Sequence, residues 1–340
     1  MARRAALVLL LLLAGASWLA YELFRPYRGF ESAVFVDFQR GTGTRQIAAQ
    51  LADAGVIPHA WQFLLVRALE RGRILQAGEY RFEKPASPFQ VFDRIARGDV
   101  FYYELLIPEG KNIFEIAAAA ADLGLFPAAK FLIAARDPAS VKDLDPRAPS
   151  LEGYLFPSTY RVDRHITPEA LCRMMTTRFR EVWRSLGAAA GVHETVTLAS
   201  LIEKEAGVAA DRRRIASVFA NRLRIGMKLD CDPTTIYAAL LDSRYRGVIH
   251  QSDLASENPY NTYRHAGLPP GPIANPGREA LDAALHPAET DSLYFVLRAD
   301  GSGAHTFSST MAAHEAAIAQ YRRGKPTKNL KEAQTQRTHR

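Results

Sequence analysis

The N-terminal part of this 340-residue chain contains the same pattern twice, at a constant spacing. Each copy begins with the alternation of a strand, continues with the period of a helix, and reaches a glycine and then a proline that precedes a second helix. Equivalent residues of the two copies lie 69 positions apart. Four matches at one spacing predict two related strand–helix–helix segments. The matching pairs are Gly41 and Gly110, Ile47 and Ile116, Gly55 and Gly124, and Pro58 and Pro127.

Two interpretations fit this repeated module, residues 34–136. A plain α+β spacer would hold a second domain away from a membrane. Alternatively, the strand, the turn with Gly41-Thr42 and the helix with Ile47-Ala48 resemble LysM domains. That resemblance implies a small carbohydrate-binding module.

An apolar run that carries no charge until Glu22 lies near the N-terminus. About 20 apolar residues are needed to span a bilayer as a helix, and Ala5–Phe24 just meets that length. Trp18 and Tyr21 lie where interfacial aromatic residues anchor such helices. The sequence therefore predicts a cytoplasmic N-terminus and a transmembrane anchor over residues 1–24, with a cleavable signal peptide as the alternative. Either interpretation sends the remaining chain across the membrane.

The net charge of +7 comes mainly from the C-terminal end. Residues 322–340 carry seven Lys or Arg and one Glu, a net charge of +6, which leaves +1 for the other 321 residues. This segment is polar and poor in aromatic residues, so we expect a disordered basic tail. The charge gives little support for nucleic-acid binding, and we expect no nucleic-acid partner.

The cysteines argue against a disulfide scaffold and a zinc site. Cys172 and Cys231 lie far apart, outside any CxxC or Cys/His cluster. They fit either one disulfide or two separately buried thiols. The sequence also has no metal-ligand spacing, phosphate-binding glycine loop or Ser/His/Asp motif. We therefore expect neither a metal nor a cofactor.

The segment Thr195–Gly207 predicts an amphipathic helix that directs one acid into the protein. Leu201 and Ile202 lie on its apolar face, and the next position on that face is Glu205. Glu203 points to nearly the opposite, polar side. Because burial against apolar groups raises the pKa of a carboxyl, Glu205 could keep its proton near neutral pH and donate it to a leaving group. Taken alone, the helix favours the simpler interpretation of a Glu at the edge of a packed face, and the motifs that follow in the chain reverse this preference.

A Pro-, Asp- and Ser-rich segment, residues 137–150, predicts a boundary before the region richest in motifs, residues 151–321. Within that region, Asn258–Gly277 contains five prolines and predicts a long irregular loop. Its Tyr, Asn and Thr side chains suit a polar ligand with apolar faces, such as a sugar. A stiff connector is the alternative.

The motifs of this region resemble, in their order, the MltG (YceG-like) family of endolytic murein transglycosylases. The most specific pieces are EKE, the stretch IASVFANRLRIGMKLDCDPT, and then YNTY, GLPPGPI and HTF. The resemblance extends from the N-terminal run to about Tyr321. It places the family's catalytic acid on the second Glu of EKE, which is Glu205, the residue that the helical face selects independently.

This resemblance implies a single-pass inner-membrane protein with its catalytic domain in the periplasm. The implied reaction cleaves the β-1,4 bond between N-acetylmuramic acid and N-acetylglucosamine within a peptidoglycan strand. It leaves a 1,6-anhydromuramic end and terminates the growth of a nascent strand. Such an activity suggests cell-wall synthases or divisome proteins as partners.

Further site residues are predicted from the same motifs. The first three residues of YNTY are expected to hold acetamido groups and stack on a sugar face, and the Tyr and Phe of LEGYLF to extend that surface. Ordinary core positions are the alternative for the aromatic residues. The histidine of HTF is a candidate hydrogen-bond donor near the cleft, although a structural role is preferred for it, and Asp232 is expected to be a helix N-cap. The predicted substrate-binding residues are Tyr154, Phe156, Tyr260, Asn261, Thr262 and His305.

Two other functions stay open at this point. A muramidase that hydrolyses the strand would need a second carboxylate, and Glu152, Glu203 and Asp211 are the candidates. A peptidoglycan-binding scaffold without activity would keep the fold alone. In each case the expected fold class is α+β: a transmembrane helix, a repeated strand–helix module and a mixed α+β catalytic domain.

Overall fold

The computed structural model describes residues 2–188 and 191–324. These residues divide into two compact units. The first contains the described residues up to Glu104 together with Arg161–His165, and the second contains Leu105–Tyr160 and the described residues from Ile166 onward. Most of the second repeat copy therefore belongs to the same unit as the predicted catalytic region, whereas the sequence had grouped both copies in one module.

The N-terminal apolar run forms helix α1, Ala2–Phe24. The segment Arg3–Phe24 is long and apolar enough to cross a membrane, judged by length and composition. The leucines of its first half are exposed, whereas Leu23 is 4% exposed. Near the same end Trp18 stacks on Trp61, with ring centroids 6.2 Å apart. The helix thus packs on the rest of the first unit through its C-terminal turns.

The first repeat copy folds as strand, helix, helix, strand. The two strands pair in antiparallel fashion, with Val34 opposite Phe82. Gly55 has a φ of +69° just after α2, in the left-handed region that glycine adopts at low cost. The elements of this unit after α1 are β1 (Val34–Phe38), α2 (Thr44–Asp53), α3 (Ala60–Leu69), β2 (Gly78–Phe82) and α4 (Pro88–Arg97).

The second copy has the same order of elements. It consists of β3 (Tyr103–Ile107), α5 (Ile113–Asp122), α6 (Ala128–Arg136) and β4 (Ser158–Val162), and β3 pairs with β4. Gly124 repeats the left-handed conformation of Gly55, with a φ of +70°. Residues 137–150, the predicted boundary, contain one short 3-10 helix, Pro138–Val141, and otherwise turns.

The rest of the second unit is mainly helical. Residues 258–277 contain no helix or strand, as their five prolines predicted. Arg322, where the predicted basic tail begins, still belongs to the last helix, and residues 325–340 lie outside the described residues. The elements are α7 (Pro168–Ser185), α8 (Val192–Glu205), α9 (Arg212–Arg224), α10 (Asp232–Leu241), α11 (Gln251–Leu254), α12 (Arg278–Leu285), the antiparallel strands β5 (Tyr294–Leu297) and β6 (His305–Ser308), and α13 (Met311–Gly324).

Helix α8 lies inside the second unit and is not amphipathic in the predicted sense. Residues 196–202 are all buried, because α9, α10 and α12 pack around the helix. A helix enclosed in this way buries every face, so its apolar stripe does not mark one side. The prediction that Glu203 points to a polar side is therefore wrong: its side chain is 7% exposed.

Asn275 joins three distant segments of the second unit. Its Oδ1 accepts hydrogen bonds from the backbone N–H groups of Gly153 and Leu155, both at 2.9 Å. Its Nδ2 donates to the carbonyl of Lys111 at 2.9 Å and to the carboxyl of Glu152 at 2.8 Å. Burial raises the pKa of Glu152 to about 8, so this carboxyl keeps its proton at neutral pH. The end of the proline-rich loop is thereby fixed to α5 and to the segment before β4.

We expect Asn275→Ala to lower the free energy of unfolding by about 3–5 kcal/mol, because two buried N–H groups lose their acceptor at about 1–3 kcal/mol each. Urea unfolding of the purified protein measures the change. Asn258→Ala is the matched control, since this half-buried loop residue bonds to the exposed Asp242. Its effect should stay below about 1 kcal/mol. Equal stability of the two variants would show that the Asn275 network does not hold the loop.

Candidate active site

Glu205 is the last residue of α8 and lines a cleft of about 340 Å³. The other walls come from α9, the turn before α10, the loop 258–277, β5 and α13. The chain leaves the helix at Ala206 with an extended backbone, and Gly207 then passes against the backbone of Gly303. A side-chain carbon at Gly207 would lie 2.6 Å from the Gly303 carbonyl oxygen, so this close approach requires a glycine.

The surroundings of Glu205 favour its protonated form. Burial raises the pKa of this carboxyl above its usual range, and the negative charge of Asp232 adds to the effect. The C-terminal end of α8 also disfavours a negative charge. The thiol of Cys231 donates a hydrogen bond to Oε1 at 3.2 Å, which together with His305 opposes the rise. The Glu205 carboxyl is thus shielded from solvent, and its hydrogen-bond donor within the protein is a thiol, which is a weak one.

Glu203 differs from Glu205 in its partners. Its Oε1 lies 3.5 Å from the guanidinium of Arg212, and its Oε2 accepts a hydrogen bond from the backbone N–H of Gly277 at 3.0 Å. Within residues 2–188 and 191–324, Glu205 has no ion pair with a basic side chain. Both glutamates are enclosed, but Glu203 is part of a structural ion pair, whereas Glu205 faces the cleft.

Asp232 is not the N-cap that the sequence predicted. Helix α10 begins at Asp232 itself, and Cys231 occupies the N-cap position. The Asp232 side chain is exposed, lines the same cleft as Glu205 and accepts a hydrogen bond from the hydroxyl of Tyr263 at 2.6 Å. The cleft therefore holds a second carboxylate close to the acid.

Asn261 and Thr262 support the site from below its surface. Both are at most 1% exposed. Asn261 Nδ2 donates to three backbone carbonyls of the preceding segment, that of Ser256 at 2.8 Å among them. Thr262 Oγ1 accepts a hydrogen bond from the backbone N–H of Cys231 at 3.0 Å. With their polar atoms engaged in the protein, these side chains position Cys231 and the loop, and they do not present the sugar-binding surface predicted for them.

The predicted aromatic residues do not line the cleft either. Tyr154 is fully buried and donates its hydroxyl hydrogen bond to Asp145, and Phe156 is buried as well. Tyr260 is half-buried and packs against Tyr237, with ring centroids 5.1 Å apart. The structure thus gives Tyr154 and Phe156 the core positions that the sequence left open as the alternative.

His305 lies near Glu205 but is held by Asp211. Its Nδ1 is 3.0 Å from Asp211 Oδ2, and the same oxygen accepts a hydrogen bond from the His305 backbone N–H at 2.6 Å. The carboxyl group of Asp211 is therefore engaged in contacts within the protein, as those of Glu152 and Glu203 are. None of the three acids proposed from the sequence for a hydrolase lines the cleft.

Sequence reasoning missed several residues of the cleft. Arg222 donates to the carbonyls of Leu293 and Leu229 at 2.7 and 2.8 Å, and its guanidinium lies 5.3 Å from the ring centroid of Tyr294. His314 stacks on the ring of Tyr294, with ring centroids 5.0 Å apart. These contacts join α9, β5 and α13, and no local sequence pattern predicts them. Tyr263 had a signal, since it completes the YNTY motif.

Both cysteines are free and buried, which corresponds to the separate-thiol alternative. Cys172 lies in α7, away from the cleft, and Cys231 lies at its wall. Over the described ranges 2–188 and 191–324, no group of three or more His, Cys, Asp or Glu side chains could hold a metal ion.

Comparison with known proteins gives relatives along nearly the whole chain. An endolytic murein transglycosylase of Bacillus subtilis (strain 168) is 32% identical, and the match covers 92% of this chain and 91% of that protein. One of Streptococcus pneumoniae serotype 2 is 28% identical, with 85% of this chain matched. The match spans 60% of the longer streptococcal protein.

The fold agrees with these matches. A crystal structure of a yceG-like protein from Listeria monocytogenes superposes with a TM-score of 0.54 at 31% identity. It covers 84% of this chain and 99% of that chain. The model of the YceG-like family matches residues 36–320. These findings confirm the family predicted from the EKE, YNTY and HTF motifs: the chain belongs to the YceG-like family.

Proposed function

We propose that this protein is an endolytic murein transglycosylase that uses Glu205 as its catalytic acid. The observation that carries the proposal is the position of Glu205, whose carboxyl lines a cleft, has a raised pKa and is held by a thiol instead of a cation. The names of the Bacillus and Streptococcus relatives support the same activity.

The reaction needs one carboxyl in two successive roles. Glu205 protonates the glycosidic oxygen between N-acetylmuramic acid and N-acetylglucosamine, and the bond from that oxygen to C1 breaks. The 6-hydroxyl of the same muramic residue forms the new bond to C1, with the advantage of a tethered nucleophile. The Glu205 carboxylate then accepts the proton of that hydroxyl. The strand ends in a 1,6-anhydromuramic residue, and water is not consumed.

The aromatic walls of the cleft suit a carbohydrate. Tyr263 and Tyr294 are both half-buried, so part of each ring is accessible. Aromatic faces pack on the apolar face of a sugar, while the carboxylates of the cleft offer acceptors for its hydroxyl groups. These side chains take the role that the sequence assigned to Tyr154, Phe156 and Tyr260.

The cellular arrangement belongs to the same proposal. Helix α1 anchors the chain in the inner membrane as a single span, and the two units lie in the periplasm, where cleavage ends the growth of nascent strands. Cell-wall synthases or divisome proteins are the partners that such a role suggests. The strand–helix–helix–strand order of the first unit supports a LysM-like glycan-binding role. A cavity of about 670 Å³ beside β2 and α4, lined by Arg81 and Arg94, offers polar contacts for it.

A muramidase is the second candidate, and one observation favours it. Retaining and inverting glycosidases place two carboxyl groups at the scissile bond. Asp232 supplies a second carboxylate in the cleft of Glu205. Hydrolysis and transglycosylation differ in the strand end that they leave, so the products decide between the two.

Products from purified, denuded glycan strands should carry 1,6-anhydromuramic ends. In mass spectrometry these fragments are lighter by one water than the hydrolytic equivalents, because no water enters the reaction. Reducing N-acetylmuramic ends as the main product would establish the muramidase instead.

Glu205→Gln should lower the rate of strand cleavage by about 10²–10⁴-fold, since the amide keeps the size of the side chain but cannot supply a proton. Folding should be retained, because an amide removes the cost of a desolvated carboxyl. Thermal unfolding and the initial cleavage rate are measured for the same preparation.

Glu203→Gln provides the matched control for this experiment. It weakens the ion pair with Arg212 but can still accept the Gly277 hydrogen bond. We expect a lower melting temperature with most of the activity per folded molecule retained. Activity in Glu205→Gln together with its loss in a folded Glu203→Gln would refute the assignment of the acid.

The protein should stay in the membrane fraction after cell disruption, and protease added to spheroplasts should degrade both units. The reason is the exposed apolar surface of α1, which stays attached to the first unit. A cytoplasmic protein of the same cells serves as the protection control. A soluble form shortened at its N-terminus would establish the signal peptide instead.

A further inference from the structure

Asp232 is the acidic side chain that the one-acid reaction leaves without a role. It is exposed at the start of α10 and lines the cleft that Glu205 lines. One of its oxygens, Oδ1, accepts the Tyr263 hydrogen bond at 2.6 Å. In the described part of the chain Asp232 forms no ion pair with a basic side chain, so its negative charge is not neutralised within the protein.

Other acids near the cleft differ in this respect. Asp230 lies 3.8 Å from Arg222, which offsets its charge. Asp211 is held by His305, and Glu203 by Arg212. The charge of Asp232 also reaches the acid itself, since it contributes to the raised pKa of Glu205. A carboxylate that acts on Glu205 also acts on a sugar bound in the same cleft.

A negative charge in the cleft favours the chemistry. Cleavage of a glycosidic bond passes through an oxocarbenium-like transition state, in which positive charge develops on C1 and the ring oxygen. Glu205 is neutral when the bond begins to break, because it still carries its proton. A fixed carboxylate aimed at the developing charge stabilises the transition state more than the ground state.

We propose that Asp232 is a second catalytic residue, whose carboxylate faces C1 of the N-acetylmuramic residue and stabilises its positive charge without forming a bond to it. The inference rests on the transglycosylase proposed above. Tyr263 has a positioning role, since its hydroxyl fixes the direction of the carboxylate. The proton of the 6-hydroxyl still goes to Glu205, so Asp232 neither gains nor loses a proton.

Asp232→Asn tests this assignment in the full-length protein, purified in detergent and acting on denuded glycan strands. We expect kcat to fall about 10²-fold, as is typical when one group that stabilises transition-state charge is removed. The products should still carry 1,6-anhydromuramic ends. Tyr263→Phe should give a smaller loss, because the carboxylate stays but is less firmly held.

The pH dependence of activity distinguishes a catalytic role of Asp232 from a structural one, because a merely structural role would not shift the pH profile. Activity needs protonated Glu205, so it falls as the pH rises through the pKa of this acid. Asp232 raises that pKa and the Cys231 hydrogen bond lowers it. Asp232→Asn should therefore move the alkaline limb of kcat/KM to lower pH, and Cys231→Ala should move it to higher pH. The titratable and charged groups that line the cleft or act on Glu205 are Arg222, Asp230, Cys231, Asp232, Tyr263, Tyr294, His305 and His314.

Two further variants complete the test. Asp232→Glu keeps the charge, so its alkaline limb should stay at the wild-type position even where kcat is reduced. Asp242→Asn, at the exposed far end of the same helix, should match the wild type in kcat and in pH profile. Thermal unfolding of every variant ensures that rates are compared between folded proteins.

Three results would overturn the assignment. The first is a wild-type kcat and pH profile in Asp232→Asn. The second is a loss of kcat with an unchanged alkaline limb in both Asp232→Asn and Asp232→Glu, which would give Asp232 a structural role. The third is that the wild type forms reducing ends and that Asp232→Asn abolishes their formation. This result would make Asp232 a carboxylate of a hydrolytic reaction. The wild-type products test the proposed function separately, so its failure and the failure of the Asp232 assignment are distinguishable.

Discussion

The hydrogen bonds of Asn275 are the constraint on which the rest of the second unit depends. They fix one end of the long loop, residues 258–277, to α5 and to the segment before β4. Within that loop Thr262 accepts the hydrogen bond of the Cys231 backbone, and the Cys231 thiol contacts Glu205. The prolines prevent the loop from forming the backbone hydrogen bonds of a helix or a sheet. The loop can still position an acid, because buried polar side chains supply its hydrogen bonds instead.

The chemistry of the site comes from a difference between two enclosed glutamates. A guanidinium lies beside Glu203 and stabilises its charge, so this residue serves the fold. Glu205 receives a thiol, which is a weak donor, and has Asp232 nearby, so the neutral form is favoured. An acid catalyst needs the second environment, because a carboxyl paired with a cation would have lost its proton well below neutral pH.

Local patterns predicted the parts of the fold that local forces decide. The strand–helix–helix order of both copies, the glycine turns at Gly55 and Gly124 and the irregular loop 258–277 all agree with the structure. The burial of α8 on every side did not follow, because it depends on helices that come later in the chain. For the same reason the sequence could not predict that Arg212 forms an ion pair with Glu203. It also could not predict that Asp232 accepts a hydrogen bond from Tyr263 and is not an N-cap. Helical periodicity pointed to Glu205 because it continued a one-sided apolar stripe, but in the structure all residues from 196 to 202 are buried and no such stripe exists.

The packing of α1 on the first unit has a mechanical consequence. Leu23 is buried, Phe24 packs on Phe89 at 5.0 Å and Gln62 bonds to the carboxylate of Glu22 at 2.9 Å, so helix and unit are joined without a flexible tether. In the proposed arrangement the unit cannot rotate freely above the bilayer. The tilt of the span would then set the direction of the first unit's surfaces. Bilayer thickness, which governs tilt, would thereby act on the proposed glycan-binding face.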